Sequence, residues 1–175
     1  MKARVVLALC GLLGAAVAPA QNDYFGDWPA GTDPREVGRR IAERFIPTPH
    51  MEMPSHGPQA LHYSHVATWV GALQFANLVQ DQDLAARLTL RFEPFLAPDA
   101  PRVPRTNHVD AEVFGALPLE LYQQTHRWQY RVMGLSFADG QWDNPLPDGL
   151  TNQTRWWIDD MYMITALQLD RKSVV

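Results

Sequence analysis

Cysteine is nearly missing from this chain: the single one, Cys10, lies within the first twenty residues. Those residues run M-K-A-R-V-V-L-A-L-C-G-L-L-G-A-A-V-A-P-A, with a basic start, an apolar middle and a small-residue exit at Ala18-Pro19-Ala20. This is the pattern of a secretory signal peptide cut after Ala20. Cleavage there leaves a chain without thiols, which excludes disulfides and thiolate metal sites. Positive charge is also scarce. Losing Lys2 and Arg4 takes two of fifteen basic residues against nineteen acids and moves the formal charge from −4 to −6. An acidic chain of this kind is a poor nucleic-acid binder. No apolar run reaches the roughly 20 residues that a membrane-spanning helix needs. The alternation of apolar and polar residues that marks a half-exposed strand is absent too. What remains is an exported globular chain, periplasmic or secreted, with residues 21–175 forming one domain.

Helix signals are plentiful. D-P-R-E at Asp33 offers an N-cap acid, a proline at the first helical position and Glu36 as capping-box partner, with Val37, Ile41 and Phe45 following at helical spacing. This predicts a helix over 34–45. The four prolines of I-P-T-P-H-M-E-M-P-S-H-G-P make a loop. Helices are expected over 61–80, over 81–96 with Pro94 ending or bending it, over 107–124, and from Trp128 to Phe137. A last one is expected from Trp156 to Leu169, where the sequence carries neither glycine nor proline as a stop. The chain therefore reads as all-α, and as a piece of a larger architecture. Several helices are apolar on most sides, which suits the inner ring of a helical toroid better than a small bundle.

The stretch R-W-W-I-D-D-M-Y-M, residues 155–163, sets two acids among aromatic and methionine side chains. Helix residues point about 100° apart, so Asp159 and Asp160 cannot share a direction. With Thr154 as cap, Asp159 falls beyond the first turn, where the helix dipole does not account for it. The plainer alternative is a pair of solvated acids neutralised by Arg155 and Arg102. Asp110, in T-N-H-V-D-A-E-V-F-G-A-L, is a second acid at the head of an apolar helix, where a dipole role is the plainer reading.

Together R-W-W-I-D-D-M-Y-M-I, N-H-V-D-A-E-V-F-G-A-L with L-Y-Q-Q-T, and H-Y-S-H-V-A-T-W-V-G-A-L-Q-F-A resemble the unsaturated glucuronyl and rhamnogalacturonyl hydrolases, glycoside hydrolase families 88 and 105, over about residues 35–170. The resemblance implies an (α/α)6 toroid, of which about half is present. It implies hydrolysis of lyase-generated oligosaccharides that end in an unsaturated uronic acid, with no cofactor and no metal. Asp159 matches the acid that protonates C4 of the C4=C5 bond, and Asp110 the carboxylate that activates the water adding at C5. Trp157 and Trp156 would lie near the sugar, and His108, Tyr63 and Trp69 would line its cleft. An apolar setting of Trp157, Met161 and Met163 would keep the Asp159 carboxyl protonated near working pH. A catalytically dead toroid that binds carbohydrate or scaffolds a partner is the alternative.

Two other motifs offer chemistry of a different kind. H-M-E-M-P-S-H, 50–56, and H-Y-S-H, 62–65, offer histidine and methionine ligands for copper but no third fixed ligand. N-Q-T at Asn152 fits the short glycosylation pattern.

Overall fold

A computed structural model describes residue 26 and residues 28–175. The expected signal segment, with Cys10, lies outside them. The described residues form α1 (Pro34–Phe45), α2 (Tyr63–Leu78), α3 (Gln82–Phe92), the single turn α4 (Val109–Glu112), α5 (Ala116–Thr125), α6 (Trp128–Gly140) and α7 (Ile158–Val174), with short 3-10 turns between some of them. No strand forms among the described residues beyond one isolated bridge between Glu52 and Leu61. The all-α expectation holds.

Local chemistry explains most of the boundaries. The Asp33 carboxylate accepts the Arg35 N–H at 2.7 Å and starts α1, with Pro34 in its first turn. Asp81 does the same for α3 through Leu84 N–H at 3.1 Å. Pro94 does not end the chain's turning but tightens it, so that α3 passes into a 3-10 turn over Glu93–Leu96. His126 adopts a left-handed backbone, φ 56°, and closes α5 before α6 begins two residues later. The single helix expected over 107–124 is instead broken by a 3-10 turn, Val113–Gly115.

Helices α2, α5 and α7 lie side by side in an open row. Helices α1 and α3 pack on α2, while α6 packs on α5 and α7. The first two members of the row are the helices that the sequence makes apolar nearly all round, and burial on several sides is what such helices need. Amphipathic α1 and α3 each bury one stripe against α2, with Ala42, Phe45, Leu84, Leu88 and Phe92 inward. At the centre stands an aromatic chain. Trp69 meets Phe92 edge-on at 5.9 Å between ring centres, Phe92 stacks on Phe95 at 5.1 Å, and Phe114 continues it towards Phe137 at 5.2 Å. The Trp69 indole N–H, which burial would otherwise leave unpaired, donates to the Leu88 carbonyl at 3.2 Å.

The loops that follow α1 and α3 are tied down rather than free. Arg91 of α3 donates to the carbonyls of Ile46 and Thr48 and lies over the Phe45 ring at 4.9 Å. Within the first loop, Met53 N–H donates to Ala60 and His62 N–H to Met51. Leu61 N–H donates to the Arg102 carbonyl at 3.0 Å, which laces this loop to the one after α3.

Helices α5 and α6 approach closely because Gly115 and Gly134 face one another. A Cβ on Gly134 would stand 2.5 Å from Leu119 side-chain carbons and 3.0 Å from the Gly115 carbonyl. Gly71, exposed within α2, would meet nothing within 4 Å. Gly134→Ala is therefore expected to lower stability by about 1–3 kcal/mol, an overpacking cost. Gly71→Ala is expected to raise it by about 0.5–1 kcal/mol, the helical glycine penalty. Urea denaturation of the two variants checks both signs.

Candidate functional site

The two laced loops deliver His56 and His108 to one end of the helical row, where α4 and α7 begin. His56 ends a 3-10 turn and is almost wholly buried. Its Nδ1 faces the Thr106 hydroxyl at 3.1 Å, which orients the ring. The His56 and His108 rings stack at 4.6 Å with 28° between their planes. His108 caps α4, its Nδ1 lying 3.2 Å from the Asp110 N–H. The Asp110 carboxylate then sits between the two imidazoles, with Oδ2 3.8 Å from His56 Nε2 and 3.6 Å from His108 Nδ1. Burial is the main cause holding the His108 imidazole below its ordinary value, with Asp110 opposing.

The second half of the site comes from the head of α7. The helix expected from Trp156 begins two residues later, at Ile158, with Trp157 rather than Thr154 at the cap position and no side-chain cap there. Asp160 does the equivalent work from inside the helix. Its carboxylate accepts the Arg155 backbone N–H at 3.1 Å and also that residue's guanidinium. To let it reach back, Trp156 takes a left-handed backbone, φ 63°, which is strained for a side chain of this size. Only 2 % of Asp160 is exposed, and the Arg155 guanidinium holds its carboxyl below the usual range.

Burial in the doublet falls on the acid that was not expected to need an apolar setting. Asp160 is the buried acid, while Asp159 stands exposed in the first turn. The apolar setting expected around Asp159 is not formed: Trp157 and Met161 are exposed, and Met163 turns inward to pack with Val109 and Val113. Arg102, the other basic partner expected, pairs with Glu52 instead. Arg155 nonetheless gathers all three aspartates. It bonds Asp160, lies 3.5 Å from Asp110 Oδ1, feels the charge of Asp159, and reaches His108 Nε2 at 2.8 Å. The Trp157 ring lies 5.5 Å from its guanidinium. These neighbours raise the Arg155 pKa, its hydrogen bond to Asp160 foremost.

Of the other expected cleft residues, Tyr63 borders the site by packing with Val109, Val113 and Met163. Trp156 is open to solvent, 78 % exposed. Trp69 is not a cleft residue, because its ring is fully buried among Phe45, Phe92 and Phe95. Nor is Asn152 presented for modification, since its amide donates to the carbonyls of Gly140 and Asp143. One histidine from each stretch considered for copper, His50 and His65, lie 3.3 Å apart with the Arg91 guanidinium against both, and burial lowers each to about 4.

No family model, no curated protein and no solved structure matches this chain. Its chemistry is therefore read from its own side chains.

Sequence reading missed Arg155 as the organiser, along with His56, Asp160 and Glu112. Glu112 lies two residues beyond Asp110, half-buried, with an oxygen that has no hydrogen-bond partner. Burial, helped by the charge of Asp143 and opposed by a hydrogen bond from Gln153, pushes its carboxyl up to about 7. Around it, Gln141 donates to Gln153, Gln153 to Asn107, and Gln168 to Gln141. This buried carboxamide relay holds the loop that delivers Arg155.

Folded Glu112 keeps its proton to about pH 7, whereas its ordinary value is 4.5. Its contribution to stability is thus full below about 4.5 and is lost as pH rises through about 7. His50 and His65 act oppositely, their share being present above 6.5 and lost as pH falls towards about 4. Comparing Glu112→Gln with the parent chain cancels the histidines. The variant's urea midpoint relative to the parent is expected to be higher at pH 8 than at pH 5; a difference that does not move with pH would show that Glu112 titrates normally.

Proposed function

We propose that this chain carries the catalytic end of a hydrolase that removes an unsaturated uronic acid from the non-reducing end of lyase-generated oligosaccharides, rhamnogalacturonan or similar. The observation that carries the reading is the pairing of Asp110 and Asp160 with Arg155, with Asp159 exposed at the head of the same helix. Next to them are two exposed tryptophan faces of the kind that sugars stack on. The row α2, α5 and α7 supports it in kind, since it offers a concatenation of inner helices such as a six-hairpin ring would use; ring closure is not formed by the described residues.

In this reaction a proton is added to C4 of the C4=C5 bond and the elements of hydroxide from water to C5. The resulting hemiketal then collapses and frees the chain beyond it. Asp159, exposed in the first turn of α7, is placed to deliver the proton to a bound sugar. Asp110, held between two imidazoles and the guanidinium, is placed to take the proton from the water. Asp160 has its oxygens committed to Arg155 and to backbone N–H groups, so its role is to position Arg155. The substrate carboxylate brings one more negative charge to a site with three acids and one guanidinium. Arg155 is what lowers that electrostatic cost.

A carbohydrate-binding or scaffold role without catalysis is the second reading. It is favoured by the outward face of α7, where Ile158, Met161, Tyr162 and Leu169 form an exposed apolar stripe at helical spacing.

Loss of the C4=C5 absorbance of an unsaturated disaccharide, followed with the purified chain, separates the two. Turnover is expected, with Asp159→Asn and Asp110→Asn each lowering kcat by about 10²–10⁴-fold, the range for a lost general acid or base. Undiminished turnover in Asp159→Asn would sink the assignment. Saturable binding of the disaccharide with no turnover would favour the second reading.

A further inference from the structure

The structure assigns a site for a first-row divalent metal ion, of the zinc class, to His56, His108 and Asp110. The three ligand atoms lie within 4.8 Å of one another. Two imidazoles and a carboxylate are a donor set that zinc takes in open sites, at about 2.0–2.2 Å from each ligand. A tetrahedral ion at those lengths needs donor atoms about 3.4 Å apart. Asp110 Oδ2 is 3.8 Å from His56 Nε2 and 3.6 Å from His108 Nδ1, each within a few tenths of an ångström of that separation.

The surroundings are built for the ligands as well. The Thr106 hydroxyl at His56 Nδ1 fixes that ring so that Nε2 is the atom facing Asp110. This is the outer hydrogen bond that metal-binding histidines ordinarily carry. The Asp110 carboxylate divides its two oxygens: Oδ1 faces Arg155, while Oδ2 is the atom that both imidazoles face. The Asp110 N–H at 3.2 Å asks for a lone pair on His108 Nδ1, which is the tautomer an ion needs there. Arg155 competes, because its Nη1 at 2.8 Å asks for the lone pair on Nε2 instead. An imidazole cannot satisfy both and stay neutral. An ion on Nδ1 takes the lone pair that the Asp110 N–H now uses, so binding exchanges that cap for a metal bond, while Nε2 carries the hydrogen and the guanidinium withdraws onto Asp160, which it already holds.

Charge agrees. Asp110 and Asp160 both pair with one guanidinium, so with neutral imidazoles this group carries a formal excess of one negative charge, which a divalent ion offsets. The other histidine pair, His50 and His65, lacks this balance, since the Arg91 guanidinium lies against both rings and no carboxylate joins them.

The site does not depend on the hydrolase reading, although the two share Asp110, and its test reads metal binding rather than turnover. The full chain is titrated with Zn²⁺ in competition with a chromophoric chelator, and with Co²⁺ for its visible d–d bands. One equivalent of each is expected. His56→Gln is expected to weaken Zn²⁺ binding at least tenfold. Thr106→Val, which only frees the His56 ring, is expected to weaken it by about 10–100-fold, the range for lost outer partners. His65→Gln is expected to leave it unchanged. Helical circular dichroism confirms that each variant is folded. Equal affinity in folded His56→Gln, or no stoichiometric binding by the parent chain, would overturn the assignment. Zinc binding by a chain that turns over no uronide leaves it standing while removing the hydrolase reading.

Discussion

The carboxylate of Asp160 is buried where water cannot solvate it, so it must be neutralised in place, and that requirement arranges the whole end of the molecule. An unpaired buried charge costs several kcal/mol. Arg155 meets the need with its backbone N–H and its guanidinium together. The chain can present both only by passing through the left-handed turn at Trp156. From this follow the start of α7, the outward placement of Asp159, the exposure of two tryptophans and the position of a guanidinium beside Asp110. One ion pair thus fixes which acid is structural and which face is open.

A second constraint lies in the loops. Prolines make the segments after α1 and α3 unable to continue as helix, yet these segments carry His56, Thr106 and His108. They become precise because their backbone groups find partners: Arg91 reaches the carbonyls of Ile46 and Thr48, and Leu61 bonds Arg102. Arg91 also fills the space over Phe45 and Trp69, so the fastening is anchored in the aromatic core itself. Packing of α1 and α3 on α2 is therefore coupled directly to the geometry of the two imidazoles.

Much of this was legible beforehand, and the reasons are local. Asp33 and Pro34 announce α1 because a cap and a first-turn proline act within three residues. Pro94 announces the end of regular α3 for the same reason. The all-α class follows from apolar periodicity alone. What the residues could not announce depends on distant partners. Trp69 reads equally well as core or cleft, because a helix apolar on most sides does not say which side meets the solvent. Which acid of the doublet Asp159-Asp160 is buried was not legible, because it depends on Arg155 folding back onto Asp160 through the turn at Trp156. His56 and Asp110 lie far apart in the chain, and only the lacing of two loops brings them together. Glu112 carried no signal at all, because its protonation depends on burial and not on its neighbours in sequence.

The fastening behind Arg155 is made of amides. Gln141, Gln153, Gln168 and Asn107 hold one another by hydrogen bonds that involve no ionisable group. Carboxamides neither gain nor lose protons across the range where proteins stay folded. Glu112, which Gln153 also bonds, is where an ionisable group joins this frame. Below the pH at which Glu112 loses its proton, the acids and imidazoles of the site can change charge while the frame that aims them keeps its shape.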